Sequence, residues 1–402
     1  MGLALRCRGR CRALHSRARA PAGCRARDGG GLGRRHRRII GAAAGPCPLT
    51  HADLLTRLAG RPQHALALRP TPLEDAPRLR EALGGSRRCP RLLIKRDDLT
   101  GLALGGNKAR KLEFLIGDAL ANGATSVVTT GAIQSNHARM TAAAARRAGL
   151  DVDLVLTAAD EAPGNEGNLL LDRLLGARIH IVPAVDPMLA VGHDEVLVRQ
   201  VADDLTARGG RPYVIAVGGS SAVGALGYVA GSAELAAQLA ALGVAPRRLY
   251  FASGSRGTQA GLTLGAHLLG LGYELHGVAV SGGEPEKIER VRRTAREAAA
   301  LLGADDSVAG ARFFTDQEFI GDGYAVPTAA GLDAMMLAAR TEALILDLTY
   351  TAKAFAALAA HVRAGQFDGD DAVVFLHTGG APATLTTKAA AALAAAPGWQ
   401  NP

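Results

Sequence analysis

Residues 104–113 read LGGNKARKLE, and the prediction of the fold starts from this turn and the helix that follows it. Two glycines and Asn107 lead directly into a helical pattern, so that Asn107 can cap the helix and Lys108 lies in its first turn. The apolar positions of that pattern are Leu112, Leu115, Ile116, Ala119 and Leu120. Their spacing of three or four residues predicts a helix with one buried face, and Gly123 supplies its stop.

Lys108 is the first candidate for chemistry. A lysine in the first turn of a helix sits against the positive end of the helix dipole and the unpaired amides. Both disfavour the ammonium form and lower its pKa, as a lysine that forms a Schiff base requires. The alternative is a surface lysine beside a turn. The chain has only six lysines, which favours the functional interpretation.

Short apolar runs alternate with helical patterns on both sides of this stretch. The predicted strands are Leu92–Lys95, Ser126–Thr130, Val152–Leu156, Ile179–Val182, Tyr213–Val217, Leu249–Ala252, Leu275–Val280, Leu344–Leu346 and Val373–Leu376. Alternating strands and helices predict mostly parallel sheets that are covered on both faces. Since so many strands fit better in two sheets than in one, we expect an α/β protein with two three-layer α/β/α domains.

Polar side chains follow the strand that begins at Ser126. Residues 131–137 read GAIQSNH and open the next helix, at the strand end where open α/β sheets bind ligands. Capping by Ser135 or Asn136 would explain one polar residue, but it leaves Gln134 and His137 unexplained.

Another polar loop, residues 252–258 (ASGSRGT), joins a predicted strand to a helix that starts near Thr258. Its backbone amides and hydroxyls can bind a phosphate at the helix N-terminus. We expect Arg256 in this loop to face solvent.

Two further segments, LTYT (348–351) and HTGG (377–380), follow predicted strands and fall on the same rim. Their hydroxyls can bind a heteroaromatic nitrogen or a carboxylate, although a capped helix start is an equal alternative for each. We expect His377 to support neighbouring groups and not to act in catalysis.

Composition and charge exclude several classes of protein. No window of 18 apolar residues is free of charge, which excludes a membrane-spanning helix. Complete GxGxxG, Walker, GxSxG and HExxH motifs are absent, which weakens dehydrogenase, nucleotidase, serine hydrolase and zincin interpretations. Four of the five cysteines lie before residue 48, so we expect no structural metal and a reducing, cytoplasmic location.

The formal net charge of +9 comes from the first 45 residues, which hold twelve arginines and one acidic residue and so carry +11. The rest of the chain carries −2. We predict that residues 1–47 are a disordered extension. Such a segment can be a translated extension without function, a transit peptide or a nucleic-acid-binding arm, and we favour the first.

A reactive lysine, a phosphate loop and hydroxyls on one rim form the set that pyridoxal phosphate (PLP) needs. At these residues the sequence resembles a known family. IKRDDLTG (94–101), GGNK (105–108) and IQSN (133–136) resemble the D-cysteine desulfhydrase / 1-aminocyclopropane-1-carboxylate deaminase family, which are fold-type II PLP enzymes similar to tryptophan synthase β. The resemblance runs from about residue 49 to 382 or beyond.

The resemblance implies a role for each of these segments. Lys108 would bond the PLP aldehyde and act in catalysis together with Ser135, Tyr324 and Tyr350. Substrate would be bound by Gln134, Ser135 and His137. Cofactor contacts would come from Asn136, Ser253, Gly254, Ser255, Gly257, Thr258, Thr351 and Thr378.

The resemblance also implies a larger PLP-binding domain made of residues 48–109 and 221–402. Residues 110–220 would form a smaller inserted α/β domain, and the protein would be a homodimer.

The deaminases of this family carry Glu after the tyrosine that matches Tyr350, whereas this chain has Thr351, and Thr378 replaces an apolar residue. A hydroxyl can hydrogen-bond a pyridine nitrogen but cannot hold its proton as a carboxylate does. We therefore expect β-elimination from D-cysteine, with cyclopropane opening or sulfite release from L-cysteate as alternatives. A non-catalytic nucleic-acid binder acting through the basic arm is the alternative from another class, and the body's net charge of −2 counts against it.

Overall fold

The computed structural model describes residues 48–159, 163–183 and 193–399. The predicted extension, residues 1–47, lies outside them. Within Pro46–Pro402, the described residues form a single compact unit that holds two sheets and the helices around them. The domain boundaries implied by the family resemblance therefore stay a prediction.

Ten strands and thirteen helices are assigned within the described residues. The strands are β1 (Leu73–Asp75), β2 (Arg91–Lys95), β3 (Ser126–Ala132), β4 (Asp151–Ala158), β5 (Arg178–Pro183), β6 (Pro212–Ile215), β7 (Arg248–Ser253), β8 (Glu274–Ala279), β9 (Thr315–Asp316) and β10 (Ala372–Leu376). The helices are α1 (His51–Ala59), α2 (Pro77–Ala82), α3 (Lys108–Ala121), α4 (Asn136–Arg147), α5 (Gly167–Leu174), α6 (His193–Ala207), α7 (Ala222–Ala241), α8 (Gly257–Leu268), α9 (Glu286–Leu301), α10 (Ala329–Glu342), α11 (Thr351–Arg363), α12 (Ala381–Thr384) and α13 (Thr387–Ala394).

The predicted α/β architecture with two mostly parallel sheets is confirmed. The larger sheet has six strands in the order β1-β2-β10-β7-β8-β9, and only the β1–β2 pair is antiparallel. The smaller sheet has four parallel strands in the order β5-β4-β3-β6 and uses residues 126–215. Because neighbouring parallel strands end at one edge, each sheet delivers its loops to a common rim.

Eight of the nine predicted strands are present, with ends within two residues of those expected. Leu344–Leu346 is wrong as a strand, because none of the strands in the described ranges pairs with it. Leu344 and Leu346 alternate with the exposed Ile345 because the segment packs one side on the core beneath α10 and α11. The sequence analysis missed β1 and β9, which have three and two residues.

Helix α3 is buried more completely than its amphipathic pattern predicts. Leu112, Leu115 and Ile116 are in the core as expected, and Leu120 is 38% exposed. Arg110 and Lys111 on another face are also buried, at 1% exposure each. These charged side chains can be buried because hydrogen-bond partners surround them. The helix ends as predicted, with Gly123 at φ +68°.

Helix α7 approaches α3 so closely that a side chain does not fit between them. A Cβ placed on Gly227 would lie 2.2 Å from the carbonyl oxygen of Arg110. Gly261 in α8 meets α7 in the same way, with a Cβ position 2.3 Å from the oxygen of Ala225. These contacts join the helix that begins at Lys108 to the helix that follows the β7 loop.

None of the helices in the described ranges is long and apolar enough to cross a membrane.

We predict that Gly227→Ala destabilises the protein by about 1–3 kcal/mol, because an extra methyl group must push apart two packed helix backbones. Gly231→Ala in the same helix is the matched control, since its Cβ would meet only side-chain atoms of Tyr228 and Arg110, the nearest at 3.3 Å. Alanine is more favourable than glycine in a helix by about 1 kcal/mol, which should offset the cost of that contact. Urea unfolding of both variants tests this, and equal stability of the two would contradict the prediction.

Candidate active site

The loops at the rims of the two sheets line one cavity. It brings together eleven residues that the sequence analysis proposed. They are Lys108, Ser135, Asn136, His137, Ser253, Gly254, Ser255, Thr258, Tyr324, Tyr350 and Thr378. The proposed Gln134, Gly257 and Thr351 do not line the cavity.

Lys108 is the first residue of α3 and its amine reaches the cavity. Burial lowers the pKa of this amine to about 8, with the charge of Asp347 opposing the shift and the charge of Arg139 adding to it. The direction agrees with the sequence-based expectation, although burial and not the helix end is the main cause. A useful fraction of Lys108 is therefore a neutral nucleophile near neutral pH.

Asn107 does not cap α3 with its side chain, contrary to the expectation. Its Oδ1 accepts a hydrogen bond from Lys108 Nζ at 2.9 Å, and its Nδ2 donates to Thr258 Oγ1 at 3.0 Å. The side chain thus orients the amine and ties the start of α3 to the loop after β7. This use of the asparagine outweighs a cap because both of its polar ends find buried partners.

A second buried amine, which sequence reasoning missed, lies beside that loop. Lys111 Nζ donates to the carbonyl oxygen of Gly218 at 3.0 Å, and a Cβ on Gly257 would come within 3.0 Å of the same amine. Burial, with a contribution from the charge of Lys108, holds its pKa well below the ordinary lysine value. An anion on this loop would stabilise the charged form of Lys111. The only sequence signal was its spacing of three residues from Lys108.

The loop from β3 to α4 presents Ser135 and Asn136 to the cavity. Ser135 caps α4, its Oγ accepting from Ala138 N at 3.1 Å, so the capping alternative is right for this residue. A Cβ on Gly131 would lie 2.6 Å from Ser135 Oγ, which is why glycine stands there. Asn136 Oδ1 accepts from Asn168 Nδ2 at 3.1 Å, which fixes the amide plane.

Gln134 is directed elsewhere. Its Oε1 accepts from the backbone nitrogen of Asn168 at 2.8 Å, and its Nε2 donates to the carbonyl oxygen of Glu166 at 3.1 Å. Its side chain joins the end of β3 to the start of α5, so its placement does not support the substrate contact that the family resemblance implied.

His137 lies in the cavity wall with 4% of its surface exposed. Thr129 donates its hydroxyl to the carbonyl oxygen of Ile215 at 2.7 Å, so the 2.9 Å contact with His137 has Nε2–H as the donor. Burial and the nearby charges of Lys108 and Lys111 hold the imidazole pKa well below its usual value. His137 is therefore neutral and keeps a lone pair on Nδ1.

Residues 253–258 connect β7 to α8 and form the opposite wall. Ser220 braces this loop, because its Oγ donates to Ser255 Oγ at 2.8 Å and accepts from Gly257 N at 3.1 Å. A Cβ on Gly218 would lie 2.0 Å from Ser255 Oγ, so only a glycine permits this approach. The loop is held in place before any ligand contacts it.

The expectation that Arg256 faces solvent is wrong. The residue is 3% exposed and adopts φ +74°. Its Nη1 donates to Thr315 Oγ1 at 2.9 Å and its Nη2 pairs with the carboxylate of Glu284. Arg256 Nε is buried, and no partner for it lies in the described ranges. The side chain therefore fastens the loop to strand β9 and leaves one donor at the cavity wall.

Two tyrosines close the site. The hydroxyls of Tyr324 and Tyr350 hydrogen-bond to each other, and their rings meet edge to face with centroids 5.9 Å apart. Burial raises both phenol pKa values, with Tyr350 well above its ordinary value. Both phenols are thus protonated at neutral pH, and the pair can donate one proton outward.

The placement of Thr351 corrects its predicted role at the cofactor ring. Its hydroxyl donates to Asp347 Oδ1 at 2.8 Å and accepts from Asp347 N at 2.7 Å, so it is fully used below the cavity wall. Sequence reasoning missed Asp347, a fully buried carboxylate whose pKa is raised by burial. Thr378 does line the cavity, while the buried His377 accepts from Gly379 N at 3.3 Å and supports the turn.

These residues fit PLP. Lys108 supplies an amine for the aldehyde, and the loop before α8 offers backbone donors, hydroxyls and the unpartnered Arg256 Nε to a phosphate. The two features line the same cavity. Lys108, Asn136 and residues 253–258 would hold the cofactor.

The comparisons with known proteins agree with this chemistry. Residues 64–379 match the family described as pyridoxal-phosphate dependent enzyme. A D-cysteine desulfhydrase from Salmonella choleraesuis is 42% identical over 342 residues, covering 84% of this chain and 97% of the relative. A solved structure of an ACC deaminase homologue is 35% identical, with a TM-score of 0.75, over 84% of this chain and 97% of that one.

A more distant solved structure, threonine deaminase isoform 2 from Solanum lycopersicum, shares the fold at 15% identity. Its TM-score is 0.60, with 88% of this chain and 98% of that chain covered. From the family match and the 42% identity, the chain belongs to the pyridoxal-phosphate dependent enzymes of fold type II, in the family of the D-cysteine desulfhydrases and the ACC deaminase homologue.

Proposed function

We propose that this enzyme converts D-cysteine and water to pyruvate, hydrogen sulfide and ammonia by β-elimination. The observation that carries the proposal is that Lys108 lines the same cavity as Tyr324 and Tyr350, whose hydroxyls hydrogen-bond to each other. The Salmonella relative named D-cysteine desulfhydrase, which aligns over nearly its whole length, supports the choice of substrate.

PLP, when bound, withdraws electrons from the α-carbon of the amino acid. Lys108 Nζ takes the α-proton, since an amine of pKa near 8 is a suitable base. Ser135 orients the substrate from one wall. Tyr324 and Tyr350 share a hydrogen bond, and their available hydroxyl hydrogen protonates the departing sulfur.

Opening a cyclopropane ring makes a harder demand, because the α-carbon of 1-aminocyclopropane-1-carboxylate carries no hydrogen. An acidic side chain at the pyridine nitrogen would help by holding its proton. No Asp or Glu among the described residues lines the cavity, and the hydroxyl of Thr378 is the polar group that takes that place in our proposal. Elimination from cysteine is therefore favoured over ring opening.

We also propose that the enzyme is a cytoplasmic homodimer that binds no nucleic acid. The family resemblance supports the dimer, and the net charge of −2 outside residues 1–45 argues against a nucleic-acid surface on the folded body. The same resemblance supports a PLP-binding domain of residues 48–109 and 221–402 around a smaller domain of residues 110–220.

Lys108→Ala should abolish the visible absorbance band of bound PLP and lower kcat by about 10²–10⁴-fold or more, because both the covalent attachment and the base are lost. Lys388→Ala, on the exposed face of α13, is the matched control and should keep both. Absorbance spectra and pyruvate release measure the two effects. A Lys108→Ala protein with an unchanged band would show that another residue binds the cofactor.

A substrate panel tests the reaction itself. Pyruvate and sulfide from D-cysteine should form faster than 2-oxobutyrate from 1-aminocyclopropane-1-carboxylate. D-cysteine has an α-proton and a sulfur leaving group, whereas the α-carbon of the cyclopropane substrate carries no hydrogen. Sulfite from L-cysteate is measured in parallel. Faster 2-oxobutyrate or sulfite formation would replace the proposed substrate with one of the other two.

The pKa of Lys108 predicts how the apo-enzyme takes up PLP. Only the neutral amine attacks an aldehyde, so the uptake rate should rise with pH and level off above about 8. Below that value it should fall about tenfold for each pH unit. Stopped-flow absorbance with apo-enzyme and PLP gives the profile. A midpoint near that of a free lysine would contradict the lowered pKa.

A further inference from the structure

Three side chains of the kinds that bind metal ions lie close together outside the active-site cavity. His276 in β8, Asp316 in β9 and His361 in α11 each offer one ligand atom, and these atoms lie within 4.8 Å of one another. His276 Nε2 is 3.0 Å and His361 Nε2 is 3.8 Å from Asp316 Oδ2. The side chains of His276 and Asp316 are 6% exposed and that of His361 is 13% exposed. None of the three lines the active-site cavity.

The surrounding hydrogen bonds aim these atoms at a common point. Tyr250 OH is 2.7 Å from His361 Nδ1, which leaves His361 Nε2 for the side of Asp316. Glu318 N donates to Asp316 Oδ1 at 2.9 Å, which leaves Oδ2 for the two histidines. Metal-binding histidines and carboxylates are held by such outer partners, which fix the ring tautomer and the free oxygen.

Direct hydrogen bonding within the group is incomplete. His276 Nε2 can donate to Asp316, but the 3.8 Å contact of His361 Nε2 is too long for a hydrogen bond. His276 Nδ1 is buried, and it has no partner in the part of the chain that the structure describes. In a tetrahedral site with metal–ligand distances of about 2.1 Å, two ligand atoms are about 3.4 Å apart, so a closing movement of the most distant pair would let one cation bind all three.

The charges nearby permit a cation. Arg248 is a nearby positive group, since its Nη1 donates to Tyr250 OH at 2.8 Å. Glu274 offsets it by pairing with the same guanidinium at 2.9 Å. Asp316 therefore faces the two imidazoles, and one carboxylate with two imidazole nitrogens is a donor set that suits zinc.

We propose that His276, Asp316 and His361 form a binding site for a first-row divalent cation, best met by Zn²⁺ with water as its fourth ligand. When the metal binds, the proton on His276 Nε2 moves to Nδ1, so that Nε2 has a lone pair for the cation and Asp316 Oδ2 is freed from the hydrogen bond. The cation joins β8, the two-residue strand β9 and α11. The chain runs from β9 to Tyr324, and α11 begins directly after Tyr350, so the metal has a structural role in holding these two tyrosines.

The site is tested by Zn²⁺ binding to the full-length holoenzyme after treatment with a chelator. Cysteines and other histidines of the chain also bind Zn²⁺, so the test is a difference between variants. His361→Gln and His276→Gln each remove one ligand. His180→Gln is the matched control, because His180 Nε2 is 3.1 Å from Asp153 in a similar His–Asp pair that belongs to no three-ligand group among the described residues.

Equilibrium dialysis should show one more tightly bound Zn²⁺ in the wild type and His180→Gln than in the two site variants, whose affinity falls tenfold or more. Zn²⁺ should raise the Tm of the first two proteins only. Equal stoichiometry in all four proteins, or no tight Zn²⁺ in the wild type, overturns the proposal. If His276→Gln does not fold, the less buried His361→Gln decides. The PLP absorbance band reports folding, and D-cysteine turnover is measured separately, so failure of the metal site is distinct from failure of the proposed reaction.

Discussion

The position of the reactive lysine depends on a buried ion pair two residues further along its helix. Arg110 Nε and Nη2 each donate at 2.8 Å to one oxygen of Asp97, which follows strand β2. Arg110 Nη2 also donates to Glu234 of α7 at 2.7 Å, and Tyr228 donates to Asp97 at 2.6 Å. Losing one partner of such a pair leaves an uncompensated charge and costs about 3–5 kcal/mol. The start of α3 is therefore fixed between the large sheet and α7, and Lys108 with it.

A second consequence of this packing is the electrostatic character of the site. Lys108, Lys111, Arg139 and Arg256 are basic groups in or near the cavity, while Asp347 is the buried carboxylate that acts on Lys108. Asp347 is itself held by three backbone amides and one hydroxyl from the turn that precedes α11. An excess of buried basic groups disfavours their charged forms and attracts an anion. The same arrangement thus lowers the pKa of the nucleophile and prepares a place for a phosphate.

The sequence predicted the elements of this site better than the directions of its side chains. The GGNK turn, the polar loop after β3 and the loop before α8 were identifiable because turn residues follow β-strand patterns at a sheet rim. Position along the chain does not say which way a rotamer points. Gln134 and Thr351 therefore find backbone or carboxylate partners outside the cavity, and Arg256 turns inward to Glu284. The sequence did not indicate strand β9, because two residues are too few to show the alternation of apolar and polar positions that is typical of a strand.

The two sheets contribute different walls, and in the proposed reaction the substrate contact of Ser135 comes from one sheet and the phosphate loop from the other. The six-stranded sheet supplies the loop at residues 253–258, and Asn107 joins that loop to Lys108 through Thr258. The four-stranded sheet supplies Ser135 and Asn136, whose geometry is set by Gly131 and Asn168. Changes around Ser135 can therefore alter substrate contacts without moving the lysine or the phosphate loop. One hydroxyl of the Tyr324–Tyr350 pair donates its hydrogen to the other, so one hydroxyl hydrogen of the pair remains for the leaving group. A single available proton suits the elimination of a single sulfur group.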